Sequence, residues 1–491
     1  MSSSREVIRE DAAAPRGFDA LTVLVTLGIV ASPWTGVKVI GLPASDVAFV
    51  LAAVVLFVKV MTGDRAVSLR LWSFAPVIAS FVIVAIDVFS NRAALSTSFG
   101  ATGNIEGDAV FLGQGGAVLF LLRTAIATTL VFMLVDAETR RWGRVAPVRA
   151  LTAFVVGTLV SVAVAGARDL TGLTILEQSV TTVGDRSAGL AFHPNSLGQS
   201  VALAIPALAL AASQHRARPV RTLAVAGAYV LLTWGLLLAD SRGALIVSGL
   251  VGIMVVLAAL SRWRQGRWVV PAGIAVGLVS MYAVPALISG TRLAAGGPLG
   301  IADEDVGREQ LLAQAWDAFS SSPFVGVGLD AGSGVMVAAF LASSGGIVLL
   351  AGFTIFVARA FALQWTRESP LPRSYGSIAI LALVLMGLPN NSVNERFDYI
   401  AVAAVAACAL NLGAARDRRT RRSRFSSRRR REPPAFASPA FLAPFAASGA
   451  GAERTPRTAR ATTRTPLRAD GTDLPPAEQA SGHRRRRRPT R

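Results

Sequence analysis

The chain has 491 residues, of which 52% are hydrophobic and only 16% are charged. A soluble protein usually carries about 25% charged residues, so this composition excludes an ordinary soluble domain. The formal net charge is +19. Most of that charge lies in residues 413–491, where 21 arginines and 6 acidic residues give 21 − 6 = +15. The basic character therefore belongs to the C-terminal segment and not to the apolar body.

Long apolar runs recur along the body and predict an all-α, polytopic membrane helix bundle. Runs of about 17–25 residues are long enough to cross the hydrocarbon core as helices. We predict about twelve transmembrane helices. They make up a transmembrane domain, residues 18–412, that follows a cytoplasmic N-terminal segment, residues 1–17. The predicted spans are residues 18–34, 44–61, 72–90, 109–135, 150–167, 196–213, 222–239, 243–260, 268–289, 334–358, 375–389 and 397–412.

The connections between these spans predict the orientation of the bundle. Every second connection is rich in arginine, and such connections face the cytoplasm in membrane proteins. Both termini are therefore predicted to be cytoplasmic in a multi-pass protein of the plasma membrane. No cleavable signal peptide is evident, because the polar residues 1–17 precede the first span. The basic connections contain Arg65 and Arg70; Arg140, Arg141 and Arg144; Arg216, Arg218 and Arg221; Arg262, Arg264 and Arg267; and Arg359, Arg367 and Arg373.

The stretch of residues 185–198 lies between two spans on the predicted outer side. It contains Arg186 and His193, and Asn195 or Ser196 is a plausible N-cap for the helix that follows. The first turn of a helix presents unpaired N–H groups and the positive end of the helix dipole. This stretch therefore predicts an anion-binding site at a helix start.

Two further arginines lie in predicted outward connections. Arg242 belongs to a tight turn between two spans, and Arg308 to a long outer loop, residues 290–333. Guanidinium groups recognise phosphate through two parallel hydrogen bonds, so these arginines and Arg186 suit a pyrophosphate joined to a lipid. The alternative is that each arginine pairs with a nearby acid. Those pairs would be Arg186 with Asp185, Arg242 with Asp240, and Arg308 with Glu304.

The outer loop is predicted to contain a helix over residues 304–319. Leu312, Ala315, Trp316 and Phe319 recur with helical spacing and form one apolar face. Arg308 falls on the same face, which predicts that it points toward lipid headgroups or toward a cavity.

Charged residues within the spans need partners, because an unpaired charge there costs several kcal/mol. Arg123 lies inside the fourth span, and the sequence leaves open whether it is ion-paired or lines a cavity. Asp87 and Asp398 are expected to pair with Arg92 and Arg396, and proton binding is the alternative role for both acids.

Three sequence elements occur in a recognisable order over about residues 180–355. They are Asp185-Arg186 followed by His193-Pro194-Asn195-Ser196-Leu197-Gly198, then Ala239-Asp240-Ser241-Arg242-Gly243-Ala244, then Gly307-Arg308-Glu309 followed by Ser322-Pro323-Phe324-Val325-Gly326-Val327-Gly328. In combination they resemble the O-antigen ligase and Wzy-type polysaccharide polymerase family. The resemblance implies a metal-independent, cofactor-free membrane glycosyltransferase that polymerises or ligates a polysaccharide. Its donor would be an undecaprenyl-pyrophosphate-linked glycan at the outer face, and its acceptor a glycan or a lipid.

The resemblance also implies roles for single residues. Arg186, Arg242 and Arg308 would bind the pyrophosphate, and Asn195 at the helix start is included among the substrate-binding residues. A histidine in the outer loop would assist the acceptor hydroxyl, but Gly334 stands at that place and no histidine occurs between residues 216 and 482. His193 is the candidate catalytic substitute, with Asp330 as the alternative.

Residues 413–491 predict a disordered, arginine-rich cytoplasmic tail without hydrophobic periodicity. Clusters of arginine next to a membrane attract anionic lipid. Nucleic-acid binding is not predicted, because no aromatic or folded reader accompanies the arginines. The clusters are Arg418-Arg419, Arg421-Arg422, Arg428 to Arg431 and Arg484 to Arg488.

Two other functions remain open from the sequence. About twelve spans with cytoplasmic ends are a common plan of secondary transporters, although no repeated half is recognisable here. The missing outer-loop histidine is also compatible with a catalytically silent relative that binds lipid-linked glycan. Metal chemistry is not expected, because the three histidines and the single cysteine have no ligand-like spacing.

Overall fold

The computed structural model describes residues 19–63, 122–172, 182–183, 186–215, 218–262, 302–328, 336–366, 371–390 and 393–413. This part of the chain is almost entirely helical, which confirms the all-α class. In chain order, the helices are α1 (Ala20–Ala31), α2 (Ala44–Met61), α3 (Val131–Trp142), α4 (Val145–Thr171), α5 (Pro194–Ala212), α6 (Pro219–Ala239), α7 (Arg242–Arg262), α8 (Ala302–Ser321), α9 (Val337–Thr366), α10 (Arg373–Met386) and α11 (Arg396–Cys408). A π-helical segment, Ile126–Leu130, precedes α3, and another, Ala409–Gly413, follows α11.

Strands within these ranges occur in two short antiparallel hairpins. The first pairs β1 (Lys38–Val39) with β2 (Leu42–Pro43). The second pairs β3 (Thr182–Val183) with β4 (Arg186–Ser187), in the register Val183 opposite Arg186. The second hairpin fixes the backbone of Arg186 just ahead of α5.

Every predicted span that falls in the described ranges coincides with a helix. Among the described residues, 6 helices are long and apolar enough to cross a membrane, and α1 and α10 are shorter apolar helices. The predicted third and ninth spans, residues 72–90 and 268–289, lie outside the described residues, and so does the tail beyond Gly413. The chain is therefore an integral membrane protein, whereas its total number of spans and its topology stay predictions.

Glycines allow the helices of the bundle to approach one another closely. A Cβ on Gly157 of α4 would lie 2.0 Å from the carbonyl oxygen of Val30, and one on Gly166 would lie 1.9 Å from the ring of Trp234. Small residues at helix contacts are typical of membrane bundles, where close packing replaces the hydrophobic effect as the force between helices. These contacts fix α4 against both α1 and α6.

The helix predicted over residues 304–319 is present as α8. Ala315 and Ala318 are buried, whereas Leu312 and Trp316 are 42% and 66% exposed. The helix packs through Ala315 and Ala318, while Leu312 and Trp316 remain exposed. Whether the predicted apolar face covers lipid headgroups or a cavity stays a prediction. Arg308 lies in α8, and its side chain is outside the described part of the structure.

Helix α9 is interrupted at Gly346, whose φ of 59° and ψ of −160° are not helical. The segment that follows α8 pairs with this interruption through its backbone. Val327 N donates to Ser343 O at 2.9 Å, and Ile347 N donates to Pro323 O at 2.8 Å. Backbone groups away from water need such partners, so the interruption holds the end of the outer loop against the bundle.

Buried ion pairs connect the start of α11 to other helices. Arg396 is completely buried and pairs with Asp46 of α2 through two hydrogen bonds. Glu395 lies 3.2 Å from Arg396 and 3.6 Å from Arg123. Arg123 is therefore ion-paired, which answers the question left open by the sequence. Arg396 pairs with Asp46 and Glu395 and not with the expected Asp398. Asp87 and Arg92 lie outside the described residues.

Candidate functional site

A small cleft of about 60 Å³ lies where the start of α5, the turn between α6 and α7, and the end of α10 meet. The helix ends that surround it come from distant parts of the sequence. The cleft is lined by Arg186, Asn195, Asp240, Ser241, Arg242, Gly243, Ala244, Met386, Pro389 and Asn390.

Helix α5 begins with Pro194 as its first residue and His193 as its N-cap. The Nδ1 atom of His193 accepts a hydrogen bond from the backbone N–H of Asn195 at 3.0 Å. The predicted caps Asn195 and Ser196 are therefore wrong by two or three residues, because proline at the first helical position already has the helical φ angle. Asn195 instead lies in the first turn, where its side chain is available to the cleft.

Arg186 is held in the cleft by contacts to two different helices. It is only 8% exposed, and its Nε donates to the carbonyl oxygen of Ala239 at 3.0 Å. Its Nη2 donates to Oδ1 of Asn195. The guanidinium is thus oriented by the end of α6 and by the start of α5, and it carries its positive charge at any physiological pH.

The turn between α6 and α7 brings Arg242 to the same cleft. Asp240 adopts the left-handed conformation, with φ of 41° and ψ of 48°, and its N–H donates to the carbonyls of Leu236 and Leu237. This conformation ends α6 and lets α7 begin at Arg242. Arg242 is therefore a first-turn residue of α7, in the region where the helix dipole is positive.

Two glycines bring the walls of the cleft together. A Cβ on Gly198 of α5 would lie 2.9 Å from the Cβ of Ala244 and 3.0 Å from that of Ser241. A Cβ on Gly243 would lie 2.4 Å from the Cβ of Pro389. Because real Cβ atoms do not approach so closely, only glycine at these positions allows α5, α7 and the end of α10 to meet.

Beneath the cleft lies a hydrogen-bonded series of polar side chains that the sequence did not indicate. Asn390 donates through Nδ2 to Oε1 of Gln199, and Gln199 donates through Nε2 to Oδ1 of Asp398 at 2.7 Å. Gln199 and Asp398 are 2% and 1% exposed. Gln199 occurs one residue after the motif that contains Asn195, but no spacing rule connects it to Asp398.

The predicted site residues thus have different outcomes. Arg186, Asn195 and Arg242 line one cleft, and His193 adjoins it as the cap of α5. The side chain of Arg308 is outside the described residues, as are Asp330 and Gly334. Within the described ranges, no cluster of three or more histidine, cysteine, aspartate or glutamate side chains could hold a metal ion.

Comparison with known proteins gives a match to a family model, although no individual curated protein matches the chain. Residues 227–336 match the O-antigen ligase family, Wzy_C. The matched segment includes the turn from Asp240 to Ala244 that forms one wall of the cleft. The match shows that residues 227–336 are similar to the O-antigen ligase family, and the apolar helices show that this segment belongs to an integral membrane protein.

Proposed function

We propose that the protein is a glycosyltransferase that uses a polyprenyl-pyrophosphate-linked glycan at the outer face of the plasma membrane. The family match indicates an O-antigen ligase or polymerase type of function with lipid-linked glycan substrates. One observation carries the finer proposal. Arg186 and Arg242, which are far apart in the sequence, line the same cleft between the ends of membrane helices.

The charges around the cleft suit a pyrophosphate leaving group. Two guanidinium groups and the positive ends of the α5 and α7 dipoles favour negative charge at this point, and together they outweigh the one carboxylate in the lining, that of Asp240. During glycosyl transfer, the bond between the sugar and the pyrophosphate breaks, and negative charge develops on the pyrophosphate. Donors that are oriented before the reaction stabilise such charge most effectively. Arg186 is oriented in this way by Ala239 and Asn195.

The distribution of basic residues supports the proposed side of the membrane. Helix α5 has 19 residues, so its two ends are about 28 Å apart at a rise of about 1.5 Å per residue. The cleft lies at its start. Near its other end, Arg144 donates to Oε1 of Gln214 at 3.1 Å. Because basic connections face the cytoplasm, we place the cleft on the outer side and both termini in the cytoplasm.

The proposal is tested by giving the purified protein, in lipid nanodiscs, a polyprenyl-pyrophosphate oligosaccharide and resolving the products by size. Arg242→Ala is expected to weaken donor binding and to reduce transfer. Hydrogen bonds to charged groups contribute about 1.5–3 kcal/mol, which corresponds to a loss of about 10- to 150-fold in affinity for the donor. Arg144→Ala is the matched control, because it removes a guanidinium near the other end of α5.

Each outcome selects one of the functions. Chain growth that is lost in Arg242→Ala and kept in Arg144→Ala supports the enzyme. Binding of the donor without transfer by the wild-type protein identifies a silent relative instead. If the donor neither binds nor reacts, and the protein moves a solute across vesicle membranes, the transporter is the correct function.

A further inference from the structure

The depth of the interruption in α9 follows from the position of Arg359. Arg359 is exposed on α9, and an exposed arginine inside the apolar layer is costly, so it marks the headgroup level on one side of the membrane. Twelve residues, or about 18 Å of helix, separate Arg359 from Ile347. Because the apolar layer is about 30 Å thick, Ile347 lies inside that layer, in the half that is farther from Arg359.

That half of the membrane is the one on the side of the cleft. The start of α9 is joined to the end of α10 by a hydrogen bond from Val337 N to Gly387 O at 2.8 Å. Pro389, two residues further along the chain, lines the cleft. The interruption at Gly346 therefore lies between the level of the cleft and the middle of the apolar layer. This half is the outer one if the cleft faces outward as proposed, but its relation to the cleft does not depend on that orientation.

Residues 322–328, which follow α8, pair with the interruption and therefore lie at the same depth. In addition to the backbone bonds described above, Val348 N donates to Phe324 O at 3.2 Å. Non-helical backbone at membrane depth occurs where protein groups satisfy its N–H and C=O groups, and here the segment and the interruption satisfy each other. Ala318 of α8 packs against Val327, so the end of α8 is held at this level as well.

Large apolar side chains of this element face away from the bundle. Phe324 is 72% exposed, and its backbone lies against the start of the exposed surface of α9, where Ile347 is 52% exposed. Leu312 and Trp316 of α8 are exposed too, and the ring of Trp316 contacts that of Phe319 with 5.8 Å between centroids. Exposed aromatic and aliphatic groups of this size are unfavourable in water, whereas acyl chains surround them at the depth derived above.

We propose that residues 322–328 form a re-entrant segment, and that Phe324, Trp316 and Leu312 bind the acyl chains of membrane lipid on the side of the cleft. We call these three side chains the lipid patch. The partner is lipid because the patch continues the exposed apolar surface of α9, and because tryptophan is enriched where headgroups and acyl chains meet. Arg308 belongs to the same helix, so the lipid patch fixes the level of the helix that carries this arginine.

The test uses spin labels on single cysteines of the full-length protein in nanodiscs of phosphatidylcholine and phosphatidylglycerol. Cys408, the one cysteine of the chain, is replaced by alanine, and Phe324→Cys and Trp316→Cys are labelled in turn. Collisions of each label with oxygen, which concentrates among acyl chains, are compared with collisions with a water-soluble nickel chelate. Ile355→Cys is the lipid reference, because Ile355 is 50% exposed on α9. Gln310→Cys is the matched control, because Gln310 is exposed on α8 about 120° around the helix from Trp316.

We expect the labels at residues 324 and 316 to follow the label at residue 355, with oxygen favoured over the nickel chelate, and the label at residue 310 to show the opposite preference. A label at residue 324 that meets the nickel chelate as often as the label at residue 310 overturns the re-entrant segment. The same result at residue 316 alone overturns the part assigned to α8. Labels that are shielded from both reagents show that protein, such as a second copy of the chain, covers the patch, and this overturns the binding of lipid.

A second measurement leaves Cys408 unchanged. Brominated acyl chains quench tryptophan fluorescence on contact, and the difference between the wild type and Trp316→Phe isolates Trp316 among the 8 tryptophans of the chain. The emission that Trp316→Phe removes should be smaller in brominated than in ordinary lipid; equal values in the two lipids overturn the contact of Trp316. Neither measurement uses the donor, so a protein that does not bind polyprenyl pyrophosphate overturns the proposed function and leaves the lipid patch standing.

Discussion

Replacing Gly243 by alanine tests whether close helix packing holds Arg242 at the cleft. The new Cβ would lie 2.4 Å from the Cβ and 2.7 Å from the Cγ of Pro389. Non-bonded carbon atoms prefer about 3.5–4.0 Å, so the first turn of α7 or the proline must move by about 1 Å. Overpacking of this kind lowers the stability of the fold by about 1–3 kcal/mol. A displacement of about 1 Å at a reacting site can lower the rate of reaction by about 100-fold.

The measurements are the thermal stability of the purified protein, its affinity for the polyprenyl-pyrophosphate donor, and its rate of transfer. We expect Gly243→Ala to lower the rate and the donor affinity by more than its modest loss of stability accounts for. Gly249→Ala is the matched control in the same helix, because no heavy atom lies within 4 Å of a Cβ at that position. Since alanine is the better helix former, this control should keep full stability and full activity.

Two results would refute the reasoning. If Gly243→Ala and Gly249→Ala behave alike in all three measurements, the contact with Pro389 does not determine the geometry of the cleft. If Gly243→Ala loses stability but keeps its donor affinity and rate, the contact supports the bundle and does not position Arg242.

Two further predictions concern the supports around the cleft. Arg396→Leu leaves Asp46 buried without its cation and is expected to lower the free energy of unfolding by about 3–5 kcal/mol. The double variant with Asp46→Leu should recover much of that stability. Thermal melting that shows no recovery contradicts the pairing. Gly346→Ala places a Cβ 2.3 Å from the backbone of Phe324, at a residue whose φ is 59°. We expect this clash to release the end of the loop that follows α8 and to make it easier to cleave by limited proteolysis. The control is Gly227→Ala, where a Cβ meets nothing within 4 Å, and equal cleavage of both variants contradicts the prediction.

The helices were predictable from sequence because a membrane imposes one strong local rule. A segment must stay apolar over about 17–25 residues to cross, and this length can be read without any tertiary information. The same local character explains why Arg186, Asn195 and Arg242 could be selected as one site. Each lies beside a helix start or a tight turn, and such places are marked by proline, asparagine and short polar runs.

The parts that sequence did not predict depend on contacts between distant residues. Arg396 and Asp46 are 350 residues apart, and nothing in the composition of either segment distinguishes Asp46 from other acids as its partner. The contact made by α8 was not predictable for a related reason. Apolar periodicity selects Leu312, Ala315, Trp316 and Phe319 as one face, but it does not show which residues touch another helix. In α8 the small residues Ala315 and Ala318 are the buried ones.

His193 shows how the local structure limits a chemical assignment made from sequence. A neutral imidazole carries one proton, so a ring nitrogen that accepts a hydrogen bond requires the other nitrogen to be protonated. Because Nδ1 accepts the N–H of Asn195, the proton of neutral His193 is on Nε2, which then donates. In this state the ring suits stabilisation of a developing negative charge rather than removal of a proton from the acceptor. Service as a general base would first require the cap bond of α5 to break, and that break would also disturb Asn195, which orients Arg186. The base that the family's outer-loop histidine would supply is therefore better sought elsewhere than in the capped form of His193.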